Sequence, residues 1–196
     1  VHSVFDEPQS WAPLELPHYP GRLRLGVISR NYPHKNLAIL VEVKRHLQQA
    51  HGRATDIYVT FPPDEWAACS AEFRENVINA GVLSLSQCPS FYTQLDGVVF
   101  PSLLECFSAA PIETMKVGRP LFASDLSFIR DVCGDHCEYF DPLNAADIAH
   151  SIDAFFSLPA ERQQQRCDAA RAHVEKFPGP DERAAEYLRV IRQTLA

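Results

Sequence analysis

Residues 96–125 read DGVVFPSLLECFSAAPIETMKVGRPLFASD, and the fold turns on how this stretch is parsed. One apolar run, Val98-Val99-Phe100, stops at Pro101-Ser102, and a second, Pro120-Leu121-Phe122-Ala123, follows a stop at Gly118. That order predicts strand, loop, helix and strand, which is one βαβ unit of parallel strands. Ser108 is a good N-cap, and Pro111 is tolerated in a first helical turn because its missing N–H would be unpaired there anyway. The helix is therefore expected to start near Ser108. Two carboxylates flank that start, Glu105 in the loop and Glu113 in the second turn.

Such an arrangement has a chemical use. A helix N-terminus presents free N–H groups and the positive end of the macrodipole, and the small residues Ser108, Ala109 and Ala110 allow a phosphate to approach them. Glu113 can accept hydrogen bonds from two adjacent sugar hydroxyls, as the acidic residue of a dinucleotide site does for a ribose. Glu105 would face the group beyond the diphosphate. A Glu pair alone is common in acidic chains, and its meaning here comes from the strand, the Pro-Ser step and the Gly-Arg-Pro strand around it.

Glu105-Cys-Phe-Ser-Ala-Ala-Pro-Ile-Glu113, with Pro101-Ser102 before it and the GRPLFASD run after it, resembles the Glu-x7-Glu signature of retaining GT-B glycosyltransferases, glycosyltransferase family 4 in particular. The likeness covers roughly residues 23–152. It implies that Glu105 lies by the transferred sugar and acts as the catalytic group, and that Glu113 binds the nucleotide ribose. It also implies that Phe107, Ser108 and Ala109 line the donor diphosphate. The family usually carries Gly-Phe-Gly where this chain has Cys106-Phe107-Ser108. A Cβ at Ser108 narrows the approach to the phosphate.

Composition bounds the alternatives. With 196 residues, 46% of them hydrophobic, the chain suits one well-packed domain. A net charge of −7 and no basic stripe argue against nucleic acid as a partner. No apolar run approaches the ~20 residues that span a bilayer, and no charged-then-apolar leader is visible, so a soluble, cytoplasmic chain is expected. The six cysteines show no framework of close pairs, which suits reduced thiols. Cys133-Gly-Asp-His-Cys137 lacks the second ligand pair of a structural zinc site, and Cys106 lacks a neighbouring His that would make it a nucleophile.

Along the chain, the proline-rich residues 1–21 read as an extended linker or a partly ordered entry segment. RLRLGVIS at 22–29 predicts the first strand and 36–50 a helix that Asn36 would cap. Between them Arg30 and Lys35 are placed to grip an anion, and this loop resembles the family's Arg and Lys that neutralise the donor pyrophosphate. Residues 56–61 predict a second strand and 64–80 a helix capped by Asp64, with Trp66 and Phe73 in the core. Val82-Leu83 predicts a short third strand; the resemblance makes Val82, Leu83 and Ser84 base contacts. Residues 89–95 suggest a short helix in which Tyr92 packs. After residues 138–142, a last strand, helices are expected over 144–158, 159–177 and 180–195, the last with an apolar face of Tyr187, Leu188, Ile191 and Leu195.

The expected architecture is a Rossmann-like α/β parallel sheet, the C-terminal half of a GT-B fold. Residues 22–177 form the donor-binding domain, and 178–196 a helix that would cross to an N-terminal domain outside this chain. The resemblance implies transfer of a hexose from a GDP-, UDP- or ADP-sugar to a glycan or lipid-linked acceptor, in surface polysaccharide or O-antigen assembly. The acceptor would be presented by the other domain, with peripheral membrane association compatible with the whole protein. No cofactor and no metal are expected: the cations and amides can carry the leaving-group charge, and no Asp-x-Asp occurs. The rival readings are a degenerate, non-catalytic glycosyltransferase-like module and a nucleotide-dependent epimerase or dehydrogenase. The absence of G-x-G-x-x-G counts against a dehydrogenase.

Overall fold

The computed structural model describes residues 3–195, with Pro180 described by its backbone; Val1, His2 and Ala196, at the ends of the predicted linker and last helix, lie outside it. In chain order the elements are β1 (Leu23–Gly26), α1 (Leu40–His51), β2 (Thr55–Val59), α2 (Pro63–Ala68), α3 (Ala71–Asn76), β3 (Ile78–Asn79), α4 (Cys88–Gln94) and β4 (Gly97–Phe100). They continue as α5 (Ala110–Lys116), β5 (Leu121–Ser124), α6 (Ser127–Cys133), β6 (Glu138–Phe140), α7 (Ala145–Phe156), α8 (Ala160–Val174) and α9 (Pro180–Leu195). All the strand pairs are parallel, in the order β3-β2-β1-β4-β5-β6.

Every residue of β2, β4 and β5 is buried. Helices cover both faces of a parallel sheet, so its central strands are apolar runs and not alternating ones. Phe122 of β5 is fully buried and meets Phe155 and Phe156 of α7 with ring centroids 5.6 and 5.8 Å apart. α7 packs on α1, whereas α5 packs on α6 and α8. Gly26 closes β1 where a Cβ would come within 2.9 Å of Leu95, so the strand and α4 can approach closely. Gly118 turns the chain out of α5 at φ +72°, a conformation that L side chains rarely adopt.

Several local expectations are corrected. β1 is shorter than 22–29, and β2 ends at Val59 and not at residue 61. The helix predicted over 64–80 is two helices, because Cys69 is extended and the Ser70 hydroxyl caps α3 by accepting from the Phe73 amide at 3.1 Å. Pro62, and not Asp64, stands at the N-cap of α2. The break lets Trp66 and Phe73 both pack on Phe61, with centroids 6.5 and 6.1 Å away. The third strand is Ile78–Asn79 and not Val82-Leu83: Asn79 holds the Phe61 amide at 2.8 Å, and the chain leaves the sheet at Gly81, φ +76°. Of the two readings of residues 1–21, the described part follows the ordered entry segment and not the free linker, for Val4, Phe5 and Leu16 are buried in the core. Tyr187, Leu188, Val190, Ile191 and Leu195 of α9 stay exposed.

Candidate functional site

Strands are added outward on one side of β1 and on the other side of β4, so the chain changes its winding direction between these two neighbours. The loops that leave their carboxyl ends diverge and open a crevice, the usual place for a ligand in such sheets. The loop after β1 carries Arg30 and Lys35, and the loop after β4 carries Glu105.

Lys35 and Glu105 meet across that crevice. Their charged atoms lie 2.5 Å apart, and the side chains are only 16% and 10% exposed. The Leu103 amide donates to the His34 carbonyl at 2.7 Å and ties the two loops together. The Lys35 ammonium also lies 5.7 Å from the centroid of the Phe100 ring, within cation–π range. Asn36 does not cap the helix: it adopts a left-handed φ of 53°, and its amide donates to the Pro142 carbonyl after β6 at 2.8 Å. Three strand ends thus converge on the Lys35–Asn36 turn.

Arg30 is held elsewhere. Its Nε donates to Glu65 at 2.5 Å, while the other Glu65 oxygen accepts from the Asn31 amide at 2.8 Å. The Arg30 guanidinium, and after it the Asn31 amide, holds the Glu65 carboxyl below the usual carboxylate range. Glu65 lies 35 residues from Arg30 in sequence, and no local pattern announces the pairing.

Glu113 sits in α5, where its Oε2 accepts from the Tyr92 hydroxyl at 3.2 Å. Burial pushes the Glu113 carboxyl above its usual range, against the opposing effect of that hydrogen bond. Tyr92 packs, as its sequence context suggested, and is fully buried between Phe91 and Phe5. Its link to Glu113 is the addition that only the fold provides. Burial, with the Glu113 charge second, also raises the neighbouring Cys88 thiol to about 11, so that thiol stays protonated at neutral pH.

The glutamate-flanked loop departs from expectation at one point. α5 starts at Ala110 and not at Ser108, because its first backward bond, from the Glu113 amide, closes on the Ala109 carbonyl at 2.9 Å and makes Ala109 the cap. The Ser108 and Ala109 amides donate to no other described residue. Phe107 is 61% exposed and Cys106 is exposed beside it. Of the three residues assigned to the base, Val82 is exposed, Leu83 packs partly on the core, and Ser84 opens a capping box with Gln87. Among the described residues no group of three or more His, Cys, Asp or Glu side chains is arranged to hold a metal ion.

A doubly wound parallel sheet with an acid–base pair over its switch point defines a Rossmann-like α/β domain of the GT-B type. The model of the family described as glycosyl transferases group 1 matches residues 15–173, and the chain belongs to that family. No curated protein sequence matches it. Among solved structures, the sucrose-phosphate synthase of Thermosynechococcus elongatus superposes with a TM-score of 0.74 at 17% identity, over 96% of this chain and 50% of that one. A TarM mutant from S. aureus, in complex with fondaparinux, alpha-GlcNAc-glycerol and UDP, gives 0.70 at 19% identity, over 91% and 38% of the two chains. A UDP-forming α,α-trehalose-phosphate synthase from Burkholderia vietnamiensis gives 0.64 at 14%, over 79% and 42%. At these identities the likeness is one of fold, and this chain spans half or less of each neighbour's length.

Proposed function

We propose that this chain is the donor-binding half of a retaining glycosyltransferase of family 4, which transfers a hexose from a nucleoside diphosphate sugar to a glycan or lipid-linked acceptor in surface polysaccharide or O-antigen assembly. The observation that carries the reading is the Lys35–Glu105 pair, nearly buried over the switch point of the sheet. Glu105 would orient the transferred sugar. Lys35 and the amides of Phe107, Ser108 and Ala109 would meet the diphosphate and stabilise the charge that develops as it departs, joined by Arg30 once donor draws it off the Glu65 carboxylate that holds it here. No metal is required in this scheme. Glu113, steadied by Tyr92, would accept from the ribose hydroxyls, and Val82, Leu83 and Ser84 would border the base. The acceptor would come from a second domain, so this chain alone would bind donor without turning it over.

Thermal melting with UDP, GDP and ADP tests the reading. A ligand at ~100 times its dissociation constant adds about 2.7 kcal/mol, and at about 2–4 °C per kcal/mol for a chain of this size the melting temperature rises by roughly 5–10 °C. One nucleotide is expected to do so for the parent and to lose the effect in Lys35→Ala and Glu113→Ala. Failure of all three nucleotides, or equal shifts in the two variants, would overturn it.

A further inference from the structure

The two neighbours of Lys35 are each tied to a different strand end. On one side the His34 carbonyl accepts from the Leu103 amide, in the loop after β4, and on the other the Asn36 side chain donates to the Pro142 carbonyl, after β6. Asn36 and Pro142 lie 106 residues apart, so the backbone that carries Lys35 is fixed by the assembled sheet and not by its own helix.

Asn36 meets a backbone cost in making this link. Its φ of 53° is left-handed, and among the described residues it is the only non-glycine with a positive φ. An L side chain is disfavoured there, and such residues persist where their surroundings over-determine them. The local use that its position suggested, capping the following helical turn, is not made. Its distant partner, by contrast, is rigid. Pro142 sits in a turn closed by the Asn144 amide on the Asp141 carbonyl at 3.1 Å. The Asp141 amide donates to Asp147 of α7 at 2.8 Å, and the Asp141 carboxylate accepts from the Leu143 amide at 2.9 Å.

The geometry points to Asn36 as the residue that positions Lys35: its left-handed turn and its bond to Pro142 aim the lysine across the crevice at Glu105, ready to pass to a diphosphate oxygen. The ligand named here rests on the donor reading, whereas the aiming rests on the Lys35–Glu105 pair alone. A cation held in place loses less conformational freedom on binding than one carried by a mobile loop. Asn36 thus acts through Lys35 and touches no substrate itself.

Asn36→Gly tests this, because glycine adopts the left-handed turn without strain and removes the tether. Urea unfolding of Lys35→Met, Glu105→Gln and the double variant gives the Lys35–Glu105 coupling as a ratio of unfolding constants. That ratio should shrink by about threefold or more when Asn36→Gly is added to all four chains. A tether that served stability alone would lower every midpoint and leave the ratio unchanged. In calorimetric titration with UDP, GDP and ADP, Asn36→Gly should weaken the nucleotide that the parent binds by about three- to tenfold, a part of what one charge-assisted hydrogen bond contributes. Added to Lys35→Ala, it should weaken binding no further. A coupling that Asn36→Gly leaves unchanged rules the proposal out, as does nucleotide affinity that it leaves unchanged or lowers equally with and without Lys35. If the parent binds none of the three nucleotides, the donor reading falls and the coupling alone decides whether Asn36 aims Lys35.

Discussion

Removing either member of the Lys35–Glu105 pair perturbs the centre of the crevice directly, and the cost can be worked from the geometry. At 2.5 Å the two charges attract by about 7 kcal/mol at an effective dielectric near 20. Much of that offsets the several kcal/mol each ion loses on leaving water. The side chains are nearly buried, so the pair lies far from the exposed limit, where such contacts are worth about 0–1 kcal/mol. Deleting one partner of a fully buried pair costs about 3–5 kcal/mol, because the other charge is stranded. Here the survivor regains part of its hydration through the open side of the crevice, and about 2–3 kcal/mol is expected for Lys35→Met or Glu105→Gln alone. At about 2–4 °C per kcal/mol, the melting temperature falls by roughly 4–12 °C. The double variant strands no charge and should lose less than the sum, with a coupling of about 1–3 kcal/mol. Urea unfolding of the four proteins, with coincident fluorescence and circular dichroism transitions, measures the cycle. Single losses below about 1 kcal/mol, or losses that simply add, would refute the account of a buried, mutually dependent pair.

Two further expectations concern α5 and α3. Burial raises the Glu113 carboxyl, so the native chain keeps a proton that the unfolded chain has released between the ordinary value near ~4.3 and the raised native one, and stability falls as pH rises through that window. Glu113→Gln keeps an acceptor for Tyr92 and removes the buried charge; its melting temperature should exceed the parent's at pH 7 and approach it near pH 4, and a difference that does not vary with pH would contradict this. Ser70→Ala deletes the hydroxyl that caps α3 and should cost about 1 kcal/mol, seen as a melting temperature lower by about 2–4 °C; no change would mean that the break between α2 and α3 is held by packing of Trp66 and Phe73 alone.

The sequence by itself determined the strands and helices whose signals are local. Val98-Val99-Phe100 and Leu121-Phe122-Ala123 read as buried parallel strands because both faces of such a strand are covered, and Gly118 marked the end of α5 because its backbone angle excludes side chains. Asn144 was legible as the cap of α7, where it accepts from the Ala146 and Asp147 amides at 3.1 Å. Glu105, Glu113, Arg30 and Lys35 could be named as candidates from the chain alone. Only the tertiary structure decided what each of them touches. Lys35 meets Glu105 70 residues away, Arg30 is taken by Glu65, and Asn36 reaches Pro142 over 106 residues in place of capping its own helix. The break at Ser70 and the early exit at Gly81 likewise follow from what Phe61 and Asn79 demand across the sheet. Periodicity and capping propensity report a residue's neighbours along the chain. Partners at the switch point are set by strand order, which brings β1 beside β4 across the seventy residues 27–96 and leaves no mark in any local window.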